Sequence, residues 1–493
     1  MRFGKKLLGQ VADLFAPNAK PDSPGFAVGI VSDNKVVFRE GFGQATLEWP
    51  SPITSETVFD VGSMAKQFVG MAIALLEEEG RLSIGDKIHQ HLPEFPEYAR
   101  DVTLADLLYQ TSGIRNYTVL GYYMMGYHES DAMTKAEVYD LLLRLRSLHF
   151  GPGERWEYSD SNYFLLAEIV ERITGRSLGE YAREAIFEPL DMHDTLFREC
   201  HSQVIRNRAM SYVTHPIAFK SPYLYRHQRA VAGSYHTLIS NYEHVGAEGL
   251  FTTLEDLFKW DRNYGDNRLG RGRMGLIDRV LSPGARIDED IGYGFGLNVG
   301  RFRGKKFYGH DGAIHGYTSS MMHFPEEHAT IICLANHNRI GAWECRNRIM
   351  DLIFSNGDLQ ASPLTPPQRT EPDLDDPAIA GSYQNPETAL EKPLCADALV
   401  EYLGTYRSDE LGATFIVDDG GQGLVVRNSD KHFCSMDLFY EPTTQDNFIA
   451  YDPNPTSSQI TFLRENGRIE AFVFRDYDGD GREDIRFEKC PPA

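Results

Sequence analysis

The stretch Phe-Asp-Val-Gly-Ser-Met-Ala-Lys-Gln-Phe, residues 59–68, places a hydroxyl and an amine three residues apart. Apolar residues continue from it at helical spacing, which predicts a helix that begins near Ser63 and ends at Gly80. Residues i and i+3 share a helix face, so the Lys66 amine is expected to reach the Ser63 oxygen. A serine becomes an effective nucleophile beside a base, and the first N–H groups of a helix add partial positive charge. The stretch therefore predicts a serine nucleophile at a helix start.

A Ser-x-x-Lys match is a weak signal when it stands alone. Ser32 and Lys35 match the same pattern, but they lie in a predicted hairpin turn between two β-rich runs. For Ser63 and Lys66 the ordinary alternative is a helix N-cap and a surface lysine. The motifs further along the chain decide between these interpretations.

Two such motifs occur downstream in order. Tyr158-Ser159-Asp160 precedes a periodic helical segment, and His310-Asp311-Gly312 lies on a predicted strand. A Ser-x-x-Lys helix followed by these two motifs resembles the serine penicillin-recognising superfamily, which includes class C β-lactamases and DD-peptidases. Within it the chain is most similar to the D-aminopeptidases, over about residues 20–355. The stretches that carry this closer resemblance are 110–117, 143–153, 293–298 and, near the C-terminus, 402–411.

The resemblance implies a mechanism through an acyl-enzyme. Ser63 would attack a carbonyl carbon, and Lys66 with Tyr158 would accept its proton and return it to the leaving group. Which of these two is the base stays open, because coupled groups titrate jointly. His310 would orient or polarise neighbouring groups rather than act as a base. The oxyanion would lie between the backbone N–H groups of Ser63 and Ala313.

Three further residues complete the predicted site. Gly312 belongs to the strand that carries the oxyanion donor. Asp160 stands where the resembled family usually has Asn; a carboxylate there would stabilise protonated Lys66 or bind a substrate ammonium. Asp311 is a further substrate-binding candidate, and Glu248 is, like both aspartates, compatible with a substrate that carries a free α-amine.

The element pattern predicts an α/β fold. An antiparallel sheet is built from both chain ends with an inserted helical block, as in β-lactamases and transpeptidases, and a small antiparallel β-barrel comes after it. The predicted divisions are a serine hydrolase domain over 1–355, a linker over 356–394 and a lipocalin-like barrel over 395–493. D-aminopeptidases of this type carry two barrels, and here the linker keeps only a remnant of the first.

Composition narrows the range of partners. The chain has 49 Lys and Arg against 71 Asp and Glu, a net charge of −22, which argues against nucleic acid or an anionic membrane. No apolar run approaches the roughly 18 residues of a membrane span. Residues 1–16 are interpreted as an amphipathic helix rather than a signal peptide, and the six cysteines lack disulfide-like spacing, which favours the cytoplasm.

No cofactor or metal is expected. The acidic stretch 476–484 resembles the start of a calcium loop, but it lacks the closing Glu and is interpreted as a hairpin turn, with substrate contact left open. The expected partner is a small peptide, amide or ester substrate, and a homo-oligomer stays open. The leading function is hydrolysis of amide bonds of N-terminal D-amino acids or of small amino acid amides. The alternatives are a carboxylesterase, an acyltransferase or peptide cyclase using the same serine, and a non-catalytic binding protein.

Overall fold

The structure is a computed structural model that describes residues 3–18, 20–121, 131–213, 235–354, 364, 399–420, 423–429, 438–450, 458–475 and 485–491. The predictions for the remnant of a first barrel and for the acidic stretch 476–484 lie outside these residues.

The helices, numbered α1 to α11 in chain order, are Lys5–Phe15, Lys66–Glu78, Ile88–His91, Leu104–Leu108, Tyr117–Val119, Lys135–Arg144, Asp160–Thr174, Leu178–Ala182, Leu254–Gly265, Met274–Leu281 and Ala342–Phe354. The strands, numbered β1 to β23, are Phe26–Ser32, Lys35–Phe42, Gln44–Thr46, Ser51–Pro52, Phe59–Asp60, Leu196–Phe197, Tyr212–Val213, His236–Thr237, Leu250–Thr252, Ala285–Arg286, Ile291–Tyr293, Asn298–Phe302, Lys305–Ile314, Tyr317–Phe324, Ala329–Ala335, Gly404–Ser408, Ala413–Asp419, Leu424–Asn428, Leu438–Thr444, Asn447–Ala450, Ser458–Glu465, Arg468–Arg475 and Ile485–Lys489.

The main sheet joins the N-terminal hairpin to strands from far along the chain. Its order is β10-β11-β12-β13-β14-β15-β1-β2, and all its pairings are antiparallel. Strand β1 is buried along its whole length because helices cover both faces, α1 and α11 on one side and α9 on the other. A mixed α/β fold with antiparallel sheets is therefore confirmed. Ser32 pairs with Lys35 in the β1–β2 hairpin, as predicted for that Ser-x-x-Lys match.

Helix α2 lies at the centre of the helical part of the chain. It is buried on all sides from Lys66 to Leu76, whereas its sequence predicts burial of a single apolar stripe. A short 3-10 turn, Gly62–Ala65, precedes it, so Ser63 lies one turn before the α-helix proper. The strand β5 that enters this turn pairs with β9, which aligns Asp60 with Phe251. This pairing brings the segment before β9 next to the start of α2.

The C-terminal strands β16 to β23 form a closed antiparallel barrel, in which β16 pairs with β23. Buried aromatic rings pack against one another inside it; Phe472 stacks on Phe487 with ring centroids 4.8 Å apart. The barrel contacts the helical part of the chain where the Glu410 carboxylate accepts the backbone N–H of Arg146 at 3.0 Å. The predicted domain limits stay a prediction.

Candidate active site

Ser63 lies on a turn whose backbone is fixed from two sides. The Gly62 N–H donates to Asp60 Oδ1 at 3.0 Å, and the Val61 N–H donates to the Leu250 carbonyl oxygen at 3.0 Å. Gly62 has φ +52, a conformation that L side chains rarely adopt, and a Cβ there would lie 3.0 Å from the Ala313 nitrogen. Glycine at this position thus lets β13 pass close beside the turn that carries the half-buried serine.

Lys66 is fully buried, and its amine has three acceptors. Nζ lies 3.1 Å from Ser63 Oγ, 2.8 Å from Asp160 Oδ1 and 2.8 Å from the Ala247 carbonyl oxygen. An ammonium has three N–H donors, so all are used in this arrangement. In the neutral amine, N–H bonds to Asp160 and Ala247 leave the nitrogen lone pair directed at Ser63. The geometry therefore suits proton transfer from the serine.

Asp160 begins helix α7 and forms an ion pair with Lys66. Its other oxygen accepts from Thr118 Oγ1 at 3.1 Å and Asn116 Nδ2 at 3.4 Å. Burial opposes ionisation, but the Lys66 charge and these hydrogen bonds together lower the pKa of Asp160 below its ordinary value. The carboxylate is therefore charged and stabilises the Lys66 ammonium, which is one of the two roles considered for it from sequence.

Tyr158 presents the face of its ring to the Lys66 amine, with Nζ 4.7 Å from the ring centroid. Its hydroxyl is buried without a well-formed hydrogen bond to any described group. Burial and then the Asp160 charge raise the pKa of Tyr158 well above its ordinary value, while the nearby Ser63 hydroxyl lowers it in part. The side chain is thus a neutral phenol in the resting site, able to accept one proton and donate another.

His310 lies behind Tyr158, with ring centroids 6.2 Å apart. Its Nδ1 contacts the Asp311 carbonyl oxygen, which can only accept, so Nδ1 carries the proton and Nε2 accepts from the Tyr293 hydroxyl at 3.2 Å. Burial and the Lys66 charge lower the pKa of His310 to about 4. A neutral imidazole with both nitrogens engaged is consistent with an orienting group, and that role stays a prediction.

Strand β13 brings Gly312 and Ala313 to the nucleophile. A Cβ at Gly312 would lie 2.0 Å from the Val61 carbonyl oxygen and 3.1 Å from the Ser63 nitrogen. No larger residue fits there without separating the strand from the turn. The backbone of Ala313 therefore lies beside that of Gly62, where its N–H group and that of Ser63 are the predicted oxyanion donors.

Asp311 is the one predicted site residue that the structure does not bring to the cluster. Its carboxylate accepts from Arg346 Nη1 and Ser320 Oγ, each at 2.6 Å. Side chains alternate along a strand, so Asp311 points away from the face that carries His310 and Gly312. Its charge is matched by the buried Arg346 of α11, on the other side of the sheet.

In the segment before β9, sequence reasoning named Glu248 but missed the backbone carbonyl that precedes it. The Ala247 carbonyl binds Lys66, and Glu248 comes next with its carboxylate 3.2 Å from the Tyr117 hydroxyl. Burial and the Asp160 charge raise the pKa of Glu248 to about 8. A backbone carbonyl has no sequence signal, whereas the acidic side chain of Glu248 stands out within a largely apolar stretch.

Over the ranges that the structure describes, no three His, Cys, Asp or Glu side chains group as metal ligands. Cys200, Cys333, Cys345 and Cys490 are free thiols. None of the described helices is both long and apolar enough to cross a membrane.

The fold and the arrangement of Ser63 and Lys66 are those of a serine hydrolase, and a match to a family model identifies the family. The family model described as Beta-lactamase matches residues 11–350, so the chain belongs to the beta-lactamase family and is a serine hydrolase of that family. It is 27% identical to a D-aminopeptidase of Brucella anthropi over 468 residues, which cover 90% of this chain and 82% of that protein.

Two solved structures share the fold. An octameric penicillin-binding protein homologue from Pyrococcus abyssi aligns with a TM-score of 0.60 at 22% identity, over 98% of this chain and 99% of that chain. The D-amino acid amidase from Ochrobactrum anthropi SV3, complexed with L-phenylalanine amide, aligns with a TM-score of 0.58 at 21% identity, over 71% of this chain and 99% of that chain.

Proposed function

We propose that this protein hydrolyses amide bonds of N-terminal D-amino acids, or of small amino acid amides, through an acyl-enzyme on Ser63. The observation that supports this most is the contact set of the Lys66 amine, which holds hydrogen bonds to Asp160 and Ala247 and touches Ser63 Oγ. The preference for a D-residue is taken from the D-aminopeptidase and the D-amino acid amidase that this chain resembles.

In acylation, Lys66 first releases the proton of its resting ammonium to solvent. The Ser63 oxygen then forms a bond to the substrate carbonyl carbon while its proton passes to the neutral Lys66 amine. The carbonyl π electrons move to oxygen and give an oxyanion, which the N–H groups of Ser63 and Ala313 stabilise. One such donor is typically worth roughly 3 kcal/mol of barrier. The new Lys66 ammonium is stabilised by the ionised Asp160, so the proton transfer does not create an unpaired buried charge.

The leaving amine needs a proton when its bond to the carbonyl carbon breaks. Tyr158 is a neutral phenol whose ring lies against the Lys66 amine and whose hydroxyl lies near Ser63, so it can donate its proton to the leaving amine and regain one from the Lys66 ammonium. Water then attacks the acyl carbon by the same path in reverse, with Lys66 accepting its proton, and Ser63 is released with its hydroxyl restored. Lysine is thus the base and tyrosine the relay.

The experiment is a matched panel of D- and L-aminoacyl anilides and short-chain esters, assayed with the wild-type protein and Ser63→Ala. We expect hydrolysis of the D-aminoacyl anilides and a loss of at least about 10⁴-fold in kcat for Ser63→Ala. Intact-mass analysis after a fluorophosphonate should find one adduct, absent from Ser63→Ala.

Turnover of the esters alone would replace this proposal with a carboxylesterase, and amide formation from added amines would replace it with an acyltransferase. Labelling of the Ser63→Ala protein would move the nucleophile elsewhere. Homo-oligomeric assembly is a further part of the proposal, supported by the octameric homologue and tested by light scattering on the purified protein.

A further inference from the structure

Two carboxyl groups, those of Asp160 and Glu248, lie near enough to the Lys66 ammonium beside Ser63 to be acted on by its charge. Asp160 contacts the Lys66 amine directly, and Glu248 comes directly after Ala247, whose carbonyl oxygen lies 2.8 Å from the same amine. When both carboxylates are ionised, their two negative charges and the single Lys66 charge leave one negative charge without a partner. An unpaired buried charge is strongly unfavourable, so this group of residues favours a second cation.

The Glu248 carboxylate is held in place and yet partly exposed. The Tyr117 hydroxyl donates to its Oε1 at 3.2 Å, and His244 Nδ1 lies 3.6 Å from the same oxygen. The Glu248 side chain keeps 13% of its surface exposed, whereas the His244 side chain keeps 1%. Tyr117 is bound through its backbone N–H to Ser161, next to Asp160. Both carboxyl groups are therefore held by neighbouring side chains, and part of Glu248 stays accessible.

We propose that Glu248, together with Asp160, binds the α-ammonium of the substrate and so selects substrates with a free amino terminus. The inference rests on the proposed function, because it concerns the acyl group that Ser63 takes up. In an aminoacyl group the nitrogen lies two bonds from the carbonyl carbon, about 2.5 Å away by standard bond lengths. A carbonyl carbon about 3–3.5 Å from Ser63 Oγ therefore keeps the amine within about 6 Å of that oxygen, and Lys66 Nζ lies 3.1 Å from the same oxygen.

The proton balance of binding depends on the surroundings of Glu248. The ionisable groups that act on it are Asp160, Asp60, Lys66, Tyr117, Tyr158, His244 and Tyr242. The two aspartates raise the pKa of Glu248 and Lys66 lowers it, and burial outweighs these charges, so the free site holds a proton on Glu248 at neutral pH. Burial also lowers the pKa of His244 to about 3, so His244 supplies no cation. An incoming ammonium replaces the Glu248 proton, which leaves to solvent.

The first test measures binding without turnover. Ser63→Ala and Ser63→Ala/Glu248→Gln are titrated by calorimetry with D-phenylalaninamide and with 3-phenylpropanamide, which differ only by the amine. We expect Ser63→Ala to prefer the amine-bearing compound, and Glu248→Gln to reduce that preference by about tenfold or more, as for a lost charge-assisted hydrogen bond. Glutamine at position 248 keeps an oxygen that accepts from Tyr117. The matched control is Glu243→Gln, because Glu243 is a partly exposed glutamate of the same segment that pairs with His201.

The second measurement counts protons. At pH 6, where an α-amine is protonated, titration of D-phenylalaninamide in buffers of different ionisation enthalpy should show proton release with Ser63→Ala. Glu248→Gln should remove that release, which a merely structural role for Glu248 would leave unchanged. The inference is overturned if Ser63→Ala does not bind the amine-bearing compound or does not prefer it. It is also overturned if Glu248→Gln lowers the binding affinity for both compounds equally.

Failure of the proposed function gives a different result. If wild-type protein hydrolyses only simple esters while Ser63→Ala still prefers the amine-bearing compound through Glu248, the aminopeptidase assignment fails and the ammonium site stands. If D-aminoacyl anilides are hydrolysed and Glu248→Gln leaves the ratio of kcat/KM between them and their desamino analogues unchanged, the function stands and the ammonium site fails.

Discussion

The centre of the catalytic part and the interior of the C-terminal barrel are both closely packed, but they bury opposite kinds of side chain. Around Ser63 the buried groups include the Lys66 ammonium, which is fully buried, and the largely buried carboxyl groups of Asp160 and Glu248. Inside the barrel they are aromatic rings such as Phe472 and Phe487. The barrel's ion pairs of Arg464 with Glu401 and Asp446 involve partly exposed side chains.

The difference shows that this chain removes charged groups from water at the catalytic site and not inside the barrel. Burying an ion opposes folding unless a partner compensates it, so a domain that only needs to be stable leaves its charges in contact with water. The catalytic part buries Lys66 because the proposed base must contact the serine hydroxyl. The contrast predicts that substitutions in the two regions separate activity from stability.

Lys66→Ala should have the largest effect, because it should lower both the catalytic activity and the stability. Acylation should slow by at least about 10²-fold, the scale of general-base assistance. Removing one partner leaves Asp160 without its ion pair, so the free energy of unfolding should fall by about 3 kcal/mol. Stopped-flow acylation and urea unfolding measure the two effects. Adding Asp160→Asn should restore most of the stability and none of the rate; full recovery of the rate would exclude Lys66 as the base.

Tyr158→Phe should affect the rate alone. The phenol forms no well-made hydrogen bond to a described group, so its loss should change the free energy of unfolding by less than about 0.5 kcal/mol. Acylation should slow by about 10²-fold because the proton relay is broken. The double variant with Lys66→Ala should lose much less than the product of the single losses, since residues on one proton path are not additive. Fully multiplicative losses would place the two on separate paths.

Phe472→Ala in the barrel should show the reverse pattern. Deleting a buried phenylalanine ring typically lowers the free energy of unfolding by about 3–5 kcal/mol. Because the barrel interior contributes packing and no reacting group, kcat/KM for the best anilide should stay within about 2-fold at a temperature where the variant is folded. Thermal unfolding monitored beside the assay checks both values. A large loss of activity in folded protein would give the barrel a direct part in catalysis.

The smallest expected effect is on the pH dependence of stability, through the titration of His310. Its pKa is lowered to about 4 in the folded protein against about 6.5 when unfolded. The unfolded chain therefore binds a proton that the folded chain refuses between these values, and the stability from neutral His310 is lost as pH falls from 6.5 towards 4. Urea unfolding over this range should show a shallower decline for His310→Asn than for wild type. Equal slopes would mean that His310 is not held neutral.

Local spacing in the sequence was sufficient to predict part of the candidate site. Ser63 and Lys66 are three residues apart in a helical stretch, and the resemblance placed Tyr158 and Asp160 with them; the structure brings all four together. Asp311 was expected at the site, yet strand alternation turns it towards Arg346. The orientation of Asp311 depends on the register of β13, because the sequence of a motif on a strand does not show which of its residues faces the nucleophile.

By itself the sequence determined what depends on neighbours along the chain: the serine and its lysine, the helix that carries them, the hairpin at Ser32 and the absence of a long apolar run. Only the tertiary structure decided what depends on packing between distant segments. It joined β1 to β15, closed the barrel, and brought the Ala247 carbonyl and Glu248 beside Lys66. The physical reason is that backbone geometry fixes positions over a few residues, whereas burial and strand pairing, which act between any parts of the chain, fix the rest.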